Sequence, residues 1–223
     1  QGAGVYGRSL KTRGCFRRIL DFGAGVGNET LFLASHGYEV TYYDLEGCTR
    51  NFALHRISRS PNQENIKVAT EDRSELAGSE KYDAIVCLEV LEHLTEPLET
   101  LGFLRSLLKP DGLIFLTQAF LLTGPDYPSH LPVNRKLAIT FEEDCFDLGL
   151  TIVDRIGPDR RIFVLRPIRP VDVIIPIYNG HDVLKECLKS IRRTPDSKVP
   201  YRLILVDDGS DDPRILGLLE ESE

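Results

Sequence analysis

The chain reads as an α/β protein: a mainly parallel sheet that closes with an antiparallel hairpin, followed by a second, smaller strand–helix–strand unit. Three observations predict this. Short apolar runs alternate with amphipathic stretches along the first 150 or so residues, the pattern of linked βαβ units. The last two apolar runs before "RPIRP" are joined only by "GPDR", too short for a crossover and suited to a hairpin. Beyond "RPIRP" the strand–helix–strand pattern starts again.

In chain order, residues 1–16, "QGAGVYGRSLKTRGCF", are polar and glycine-rich and predict a loose lead-in. Strands are expected at "RRILDF", "YEVTYYD", "NIKVAT", "YDAIVCL", "GLIFLTQ", "LTIVDRI" and "RIFVLRP". Helices are expected at "NETLFLASHG" and "PLETLGFLRSLLKP", the second ending before a Pro-Asp-Gly turn. "RPIRP" is a short stiff linker, because two prolines restrict the backbone and remove donors. It divides the chain into a domain at 1–168 and a segment at 169–223, where strands "VDVIIPI" and "RLILVD" flank the helix "HDVLKECLKSIRRT".

Composition excludes several classes. A hydrophobic fraction of 42% with 27% charged residues is that of a soluble globular protein. The longest apolar stretch, "GLIFLTQAFLLTG", is too short to span a bilayer, and no basic-then-apolar signal opens the chain, so a cytoplasmic location is expected. Five scattered cysteines without a Cys-x-x-Cys pair suggest reduced thiols. A net charge of −7 offers no broad cationic surface, which weighs against nucleic acid or anionic lipid as a partner. The absence of methionine, even at position 1, suggests a piece of a longer chain.

The first chemical motif is "ILDFGAGVGNET". Asp21, Gly23, Ala24, Gly25 and Gly27 lie where a buried strand meets a helix. Glycines there let the backbone turn sharply and let a ligand approach the main chain beside the positive end of the helix. Asn28 stands where a dinucleotide fingerprint wants a third Gly or Ala, which argues against a pyrophosphate cofactor. Asp44, followed by Leu45, ends the next strand and can accept hydrogen bonds from both hydroxyls of a ribose. Glu71, Asp72 and Arg73 in "ATEDR" end the third. One such site alone is as readily a capped turn; three at successive strand ends are not.

Residues 17 to about 168 resemble the class I S-adenosylmethionine-dependent methyltransferases, in "LDFGAGVGNETLFLASHGYEVTYYDLEG" and in "YDAIVCLEVLEHLTEPLETLGFLRSLLKPDGLIFLTQ". The resemblance implies a Rossmann-like seven-stranded sheet with a terminal antiparallel hairpin, and S-adenosylmethionine as cofactor. It places Gly23, Gly25 and Gly27 beneath that cofactor, Asp21 holding the loop near the methionyl end and Asp44 on the ribose. Asp72, or Glu71 in its place, and the Arg73 backbone would face the adenine, with Leu88 and Glu89 lining the pocket.

"CLEVLEHL" holds a second constellation. If Glu89 opens a helical turn, Glu92 and His93 fall at i+3 and i+4 on its face, and His130 of "PDYPSHLP" can join them from the loop after the fifth strand. Glu89, Glu92, His93 and His130 are thus candidate ligands for Mg²⁺, Mn²⁺ or Fe²⁺. Some methyltransferases with this E-x-x-E-H pattern are similar in using a divalent ion to grip vicinal hydroxyls; many are metal-free, with the Glu and His in structural roles. Methyl transfer needs alignment and exclusion of water more than acid–base help. A hydroxyl acceptor would still gain from a base, and His93 and His130 are the candidate catalytic residues. Tyr127, His130 and Arg135 in the loop at 123–136 are where acceptor contacts are expected.

Residues 169–223 resemble the beginning of the GT-A nucleotide-sugar glycosyltransferases in "VDVIIPIYNG", "LKECLKSI" and "LILVDDGSDD". The resemblance implies that Pro176, Tyr178, Asn179, Asp207 and Asp208 border a nucleotide. The Asp-x-Asp metal motif and a later catalytic carboxylate are missing from these residues, so they cannot complete glycosyl transfer. The expected function is methyl transfer to a small-molecule or glycan acceptor, at a hydroxyl oxygen, within a methyltransferase–glycosyltransferase chain. The alternatives are a non-catalytic S-adenosylmethionine or nucleotide-sugar binding module and a metal-assisted RNA 2′-O-methyltransferase. The RNA reading is disfavoured by the acidic charge.

Overall fold

The computed structural model describes residues 16–78, 80–157, 160–193 and 199–220. The expected lead-in therefore lies outside the described residues, except for Phe16. The chain divides into two compact units, Gln1–Pro167 and Ile168–Glu223.

The first unit is a seven-stranded sheet. Its elements are β1 (Arg18–Phe22), α1 (Asn28–Ser35), β2 (Glu39–Tyr43), α2 (Cys48–Ile57), β3 (Ile66–Val68), α3 (Ser74–Ala77) and β4 (Tyr82–Cys87). They continue with α4 (Pro97–Leu107), β5 (Leu108–Leu116), α5 (Leu137–Asp147), β6 (Leu150–Ile156) and β7 (Ile162–Pro167). The strand order is β3-β2-β1-β4-β5-β7-β6. The first five strands run parallel, whereas β7 pairs antiparallel with both β5 and β6. The Rossmann-like sheet with its terminal hairpin is present; Pro158 and Asp159 of "GPDR" lie outside the described residues.

The period-two alternation of the strands divides the core. Leu20 and Phe22 of β1 pack with Ile85, Ile114 and Leu165 against Leu101 and Leu104 of α4 and Phe141 and Cys145 of α5. Ile19 faces the other way, into a cluster with Val40, Val86, Phe115 and Leu33 of α1. Tyr42 of β2 packs with Ala53 and Ile57 of α2 in a separate small cluster. Strands covered on both faces read as unbroken apolar runs, which is why they stand out in the sequence.

The expected Pro-Asp-Gly turn is instead part of β5. Helix α4 stops at Leu107 and the strand starts at once, with Leu108 opposite Tyr82 and Leu113 opposite Ala84. Residues 109–112 bulge out between those pairs. A bulge tolerates a proline that cannot donate to the ladder. A Cβ on Gly112 would lie 3.1 Å from the Tyr82 carbonyl oxygen.

At the opposite end of the sheet from its ligand-binding edge, Asp83 pins three strands. Its carboxylate accepts hydrogen bonds from the amides of Arg17 and Arg18 (2.9 and 2.8 Å) and from Lys109 Nζ (2.7 Å). Burial opposes ionisation, yet these donors hold the carboxyl below its ordinary range.

The second unit holds β8 (Val171–Ile177), α6 (His181–Arg193), β9 (Tyr201–Asp207) and α7 (Pro213–Glu220), with β8 and β9 parallel. Ile177, Leu184, Leu188 and Ile215 form its core. Val171, Ile174, Tyr201 and Val206 are exposed.

Asp83→Ala should lower stability at neutral pH by about 1–3 kcal/mol, since the two amides at the start of β1 lose a charged acceptor. Because the folded carboxyl ionises below its unfolded value, its contribution is present above the unfolded pKa and lost as pH falls through the folded one. Urea denaturation at about pH 7 and about pH 3 should therefore show the variant's deficit shrinking in acid.

Candidate functional site

The carboxyl ends of β1, β2, β4 and β5 form the edge where an open parallel sheet receives ligands. After β1 the chain turns through Gly23, Gly25 and Gly27, with φ of 68°, 54° and 75°. This left-handed backbone favours glycine. The turn is tied to β2: the Gly23 and Ala24 amides donate to the Tyr43 carbonyl at 2.9 and 3.1 Å. The Tyr42 hydroxyl donates to Gly25 O at 2.8 Å. The Asp44 carboxylate accepts from the Gly25 amide at 2.5 Å through one oxygen and from the Leu45 amide at 2.7 Å through the other. Arg50 fixes the end of β2 by donating to Asp44 O and Ala69 O.

The glycines do different work. A Cβ on Gly23 would meet Val90 Cγ2 at 2.5 Å, so this residue lets the loop after β4 approach. A Cβ on Gly25 would meet nothing within 4 Å. Gly25 therefore opens onto free space at the start of α1, which suits a ligand lying against bare backbone.

Beneath the turn, Asp21 is buried, and its carboxylate accepts a hydrogen bond from Thr30 Oγ1 at 2.6 Å. Burial raises its pKa to about 7, the Thr30 hydroxyl offsets part of the rise, and the negative charges of Glu29 and Asp44 add to it. The third acidic site is less committed. Glu71 and Asp72 are exposed, and Asp72 accepts the Ser74 amide at 2.9 Å at the start of α3. The Arg73 guanidinium lies 4.9 Å from the Phe103 ring centroid.

After β4 the structure corrects the sequence reading. Glu89 does not open a helical turn. It sits at φ 55°, its amide donates to Thr117 Oγ1 at 2.7 Å, and only Leu91–His93 form a single 3₁₀ turn. Glu92, His93 and His130 have ligand atoms within 4.8 Å of one another, and Glu89 is outside this group. His93 Nδ1 donates to Ser129 O at 3.0 Å and His130 Nδ1 to Leu122 O at 2.6 Å. Glu92 is buried, and both carboxylate oxygens lack a hydrogen-bond partner. Burial pushes its carboxyl up, Glu89 reinforces this, and the two histidines oppose it.

Glu89 instead lines a cleft of about 360 Å³ with Thr117, Gln118, Leu121, Leu122 and Phe163, and with Arg160 and Arg161 from the β6–β7 hairpin. Tyr127, His130 and Arg135 do not line it. Tyr127 packs on the His130 ring at 5.1 Å, and Arg135 lies in the 3₁₀ turn Pro132–Lys136. The Thr-Gln pair ending a buried run was the available signal for the cleft; nothing local marks Arg160 and Arg161. Leu88 is half-buried against the β1–β4 core.

In the second unit, Asn179 at φ 53° accepts the amides of Asp211 and Asp212 on Oδ1, at 2.9 and 3.1 Å. Its own amide donates to Ser210 Oγ, and that hydroxyl donates to Asp207 Oδ1 at 2.5 Å. The turns after β8 and β9 are thereby locked together. Pro176, Tyr178 and Asn179 line a hollow of about 330 Å³, and the Asp208 side chain is exposed.

Residues 8–138 match the family described as "Methyltransferase domain", more than half of the chain. The chain belongs to this methyltransferase family. Among curated relatives, the methyltransferase is 37% identical over 102 residues to a ubiquinone biosynthesis O-methyltransferase of Xanthomonas campestris, covering 45% of this chain and 42% of the relative. It is 32% identical over 113 residues to the protein of that name from Actinobacillus pleuropneumoniae, covering 48% of each. The chain thus spans about half the length of these relatives. Its fold is similar to the CcbJ methyltransferase of Streptomyces caelestis (TM-score 0.56, 15% identity, 71% of this chain and 86% of that one). It is also similar to the glycopeptide N-methyltransferase MtfA in complex with S-adenosylhomocysteine (TM-score 0.55, 13% identity, 76% and 88%). Residues 172–221 match "Glycosyl transferase family 2". Among the described residues no helix is long and apolar enough to cross a membrane. Cys48, Cys87, Cys145 and Cys187 are unpaired.

Two measurements check this geometry. Gly23→Ala should destabilise by about 2–4 kcal/mol, from left-handed backbone plus the clash with Val90, and Gly25→Ala by about 1–2 kcal/mol from the backbone alone; equal losses in urea melts would contradict the assignment. The unfolded Asp21 carboxyl ionises near pH 3.8 and the folded one near 7. Stability therefore falls as pH rises through that interval. The difference in urea midpoint between wild type and Asp21→Asn should shift in favour of the variant from about pH 4.5 to about pH 7.5.

Proposed function

We propose that the first unit transfers the methyl group of S-adenosylmethionine to a hydroxyl oxygen of a small-molecule or glycan acceptor. The observation that carries this reading is the glycine turn. Gly25 presents open backbone at the start of α1 beside the Asp44 carboxylate, with Glu89 and its cleft across the same strand edge. The O-methyltransferase names of the curated relatives favour oxygen as the atom methylated.

When bound, S-adenosylmethionine supplies a methyl group on a sulfonium, already a good leaving group. The residues of this chain then have to bind, align and exclude water. Gly23, Ala24, Gly25 and Gly27 would lie under the methionyl part, with Asp21 beneath them. Asp44 and Leu45 would take the ribose, Asp72 and Arg73 the adenine, and Leu88 and Glu89 the wall towards the acceptor. The cleft between Thr117, Leu122 and Phe163 would hold the acceptor. His93 and His130 each leave an Nε2 lone pair once Nδ1 is bound to a carbonyl. Those lone pairs would take the proton of an acceptor hydroxyl that extends from the cleft towards the two rings, neither of which lines the cleft itself.

The match of residues 172–221 to a glycosyltransferase family supports a reading in which methyl and glycosyl transfer serve one product, with nucleotide sugar a partner only of a longer chain that completes the glycosyltransferase. It is also why a glycan belongs among the acceptors.

Titration calorimetry with S-adenosylmethionine should give saturable binding. Asp44→Ala should weaken it by on the order of 1–3 kcal/mol, through lost hydrogen bonds to a charged group. An unchanged affinity would place the cofactor elsewhere. Labelled methyl transfer to a panel of phenolic and sugar hydroxyls tests the chemistry; binding without transfer to any of them would make the domain a regulatory module.

A further inference from the structure

The cleft beside Glu89 has two kinds of surface, and methyl transfer accounts for only one. Leu121, Leu122, Ala138 and Phe163 give it apolar walls that can align an acceptor and exclude water, whereas Arg160 and Arg161 add two guanidinium groups. Among the described residues that line it, Glu89 alone is acidic. A sulfonium donor is itself a cation, so two further cations near it are disfavoured unless an anion offsets them. The net charge of −7 makes this pair a local departure from an acidic background.

The pairing of the strands explains how the arginines reach the cleft. Leu116 of β5 stands opposite Cys87 of β4 on one side and Phe163 of β7 on the other. Because β7 runs antiparallel, residues before Phe163 share an edge with residues after Cys87 and Leu116. Glu89, Gln118 and Arg161 each lie two positions from that aligned trio, so they form a row across the strand ends. Two strand spacings of about 4.8 Å put the start of β7 on the order of 10 Å from the end of β4.

Arg160 stands one residue earlier, in left-handed backbone at φ 53°, with its amide donating to Gly157 O at 3.1 Å. Glycine or asparagine would take up that conformation more readily. Arg155, in the same hairpin, has a different task. It lies over the Phe163 ring at 4.6 Å, is ion-paired with Glu142, and so supports the wall of the cleft from outside.

We infer that Arg160 and Arg161 bind an anionic group, a carboxylate or a phosphate, carried by the methyl acceptor. The planar guanidinium fork meets either group through two parallel hydrogen bonds. The acceptor class is then a molecule whose ring lies against Phe163 and Leu122, with a hydroxyl directed to the cofactor edge and an anion on the order of 10 Å away at the hairpin. A neutral analogue fills the same walls but leaves the guanidinium groups without their partner, so the pair sets specificity. That the ligand is the acceptor rests on the methyl-transfer reading; the anion site stands on the cleft itself.

Titration calorimetry with three phenols, alike except for the group opposite the hydroxyl, tests the site: para-hydroxyphenylacetate, para-hydroxybenzylphosphonate and para-hydroxyphenylacetamide. At least one anion should bind saturably, at least about 10-fold tighter than the neutral amide, and more weakly as salt rises. The tighter of the two anions identifies carboxylate or phosphate as the group recognised. Arg160→Gly, which suits the left-handed backbone, and Arg161→Gln should each weaken anion binding at least about 10-fold and leave amide binding unchanged. Arg160→Lys, which keeps the charge but not the fork, should recover part of the loss. Thermal melts matching wild type show that the fold is kept. No saturable anion binding up to about 10 mM, equal binding of anions and amide, or equal anion binding by wild type and both variants would overturn the site. S-adenosylmethionine titrated into the same proteins separates the two readings. Anion binding without S-adenosylmethionine binding leaves the site standing and removes methyl transfer; the opposite result removes the site alone.

Discussion

The turn after β1 carries almost no side chain of its own, so its shape depends on the end of β2. Two amides donate to Tyr43 O, the Asp44 carboxylate accepts the Gly25 amide, and the Tyr42 hydroxyl reaches Gly25 O. Three consecutive residues at and just beyond the end of β2 therefore hold a loop of glycines that could not hold itself, since glycine loses more backbone freedom on ordering than any other residue. The arrangement needs β1 and β2 to be parallel neighbours in register, with Phe22 opposite Tyr43. Sheet order, loop shape and ligand edge are thus one constraint. The loop after β4 joins it through Val90, which occupies the space a side chain on Gly23 would need.

Two buried acids near this edge are stabilised in different ways. Asp21 has a hydroxyl partner in Thr30 and still has a pKa of about 7, because burial outweighs one neutral hydrogen bond. It can change charge near neutrality, and a cationic ligand above it would favour the ionised form. Glu92 has no hydrogen-bond partner, but two imidazoles face it. The one acid is compensated from within its own βα unit; the other faces the adjacent His93 and His130, the latter brought in by the loop after β5.

Which parts were legible in the sequence follows from the range of the interactions. The central strands β1, β2, β4, β5 and β7 stand out because burial on both faces forces apolar runs, whereas the edge strands β3 and β6 are only partly covered. Gly23, Gly25, Gly27 and Asp44 stand out because positive φ and a strand-end carboxylate have few sequence solutions. The bulge at 109–112 was hidden because Pro-Asp-Gly is equally good turn chemistry, and only pairing with β4 turns it into strand. Glu89 was misplaced because residue spacing assumes regular helix, whereas the Thr117 hydroxyl captures its amide from a different strand. Arg160 and Arg161 reach the cleft only because β7 returns antiparallel between β5 and β6. No local pattern encodes that.

The second unit applies the same strand-end rule with different materials. Its turns follow β8 and β9, parallel neighbours like β1 and β2, and the Asn179 side chain in the turn after β8 accepts the Asp211 and Asp212 amides of the turn after β9. Asn179 also takes up the left-handed backbone that glycines supply in the first unit. Asp207 is spent within this network on the Ser210 hydroxyl and amide, whereas the Asp208 side chain points out into solvent. Adjacent acids that read alike in sequence thus stand in separate surroundings: Asp207 builds the turn, and Asp208 faces solvent. The same division holds in "LEVLEH", where Glu89 faces the cleft and Glu92 the imidazoles. In both units the backbone conformation between two nearby acids, rather than their residue type, decides which is structural and which is presented.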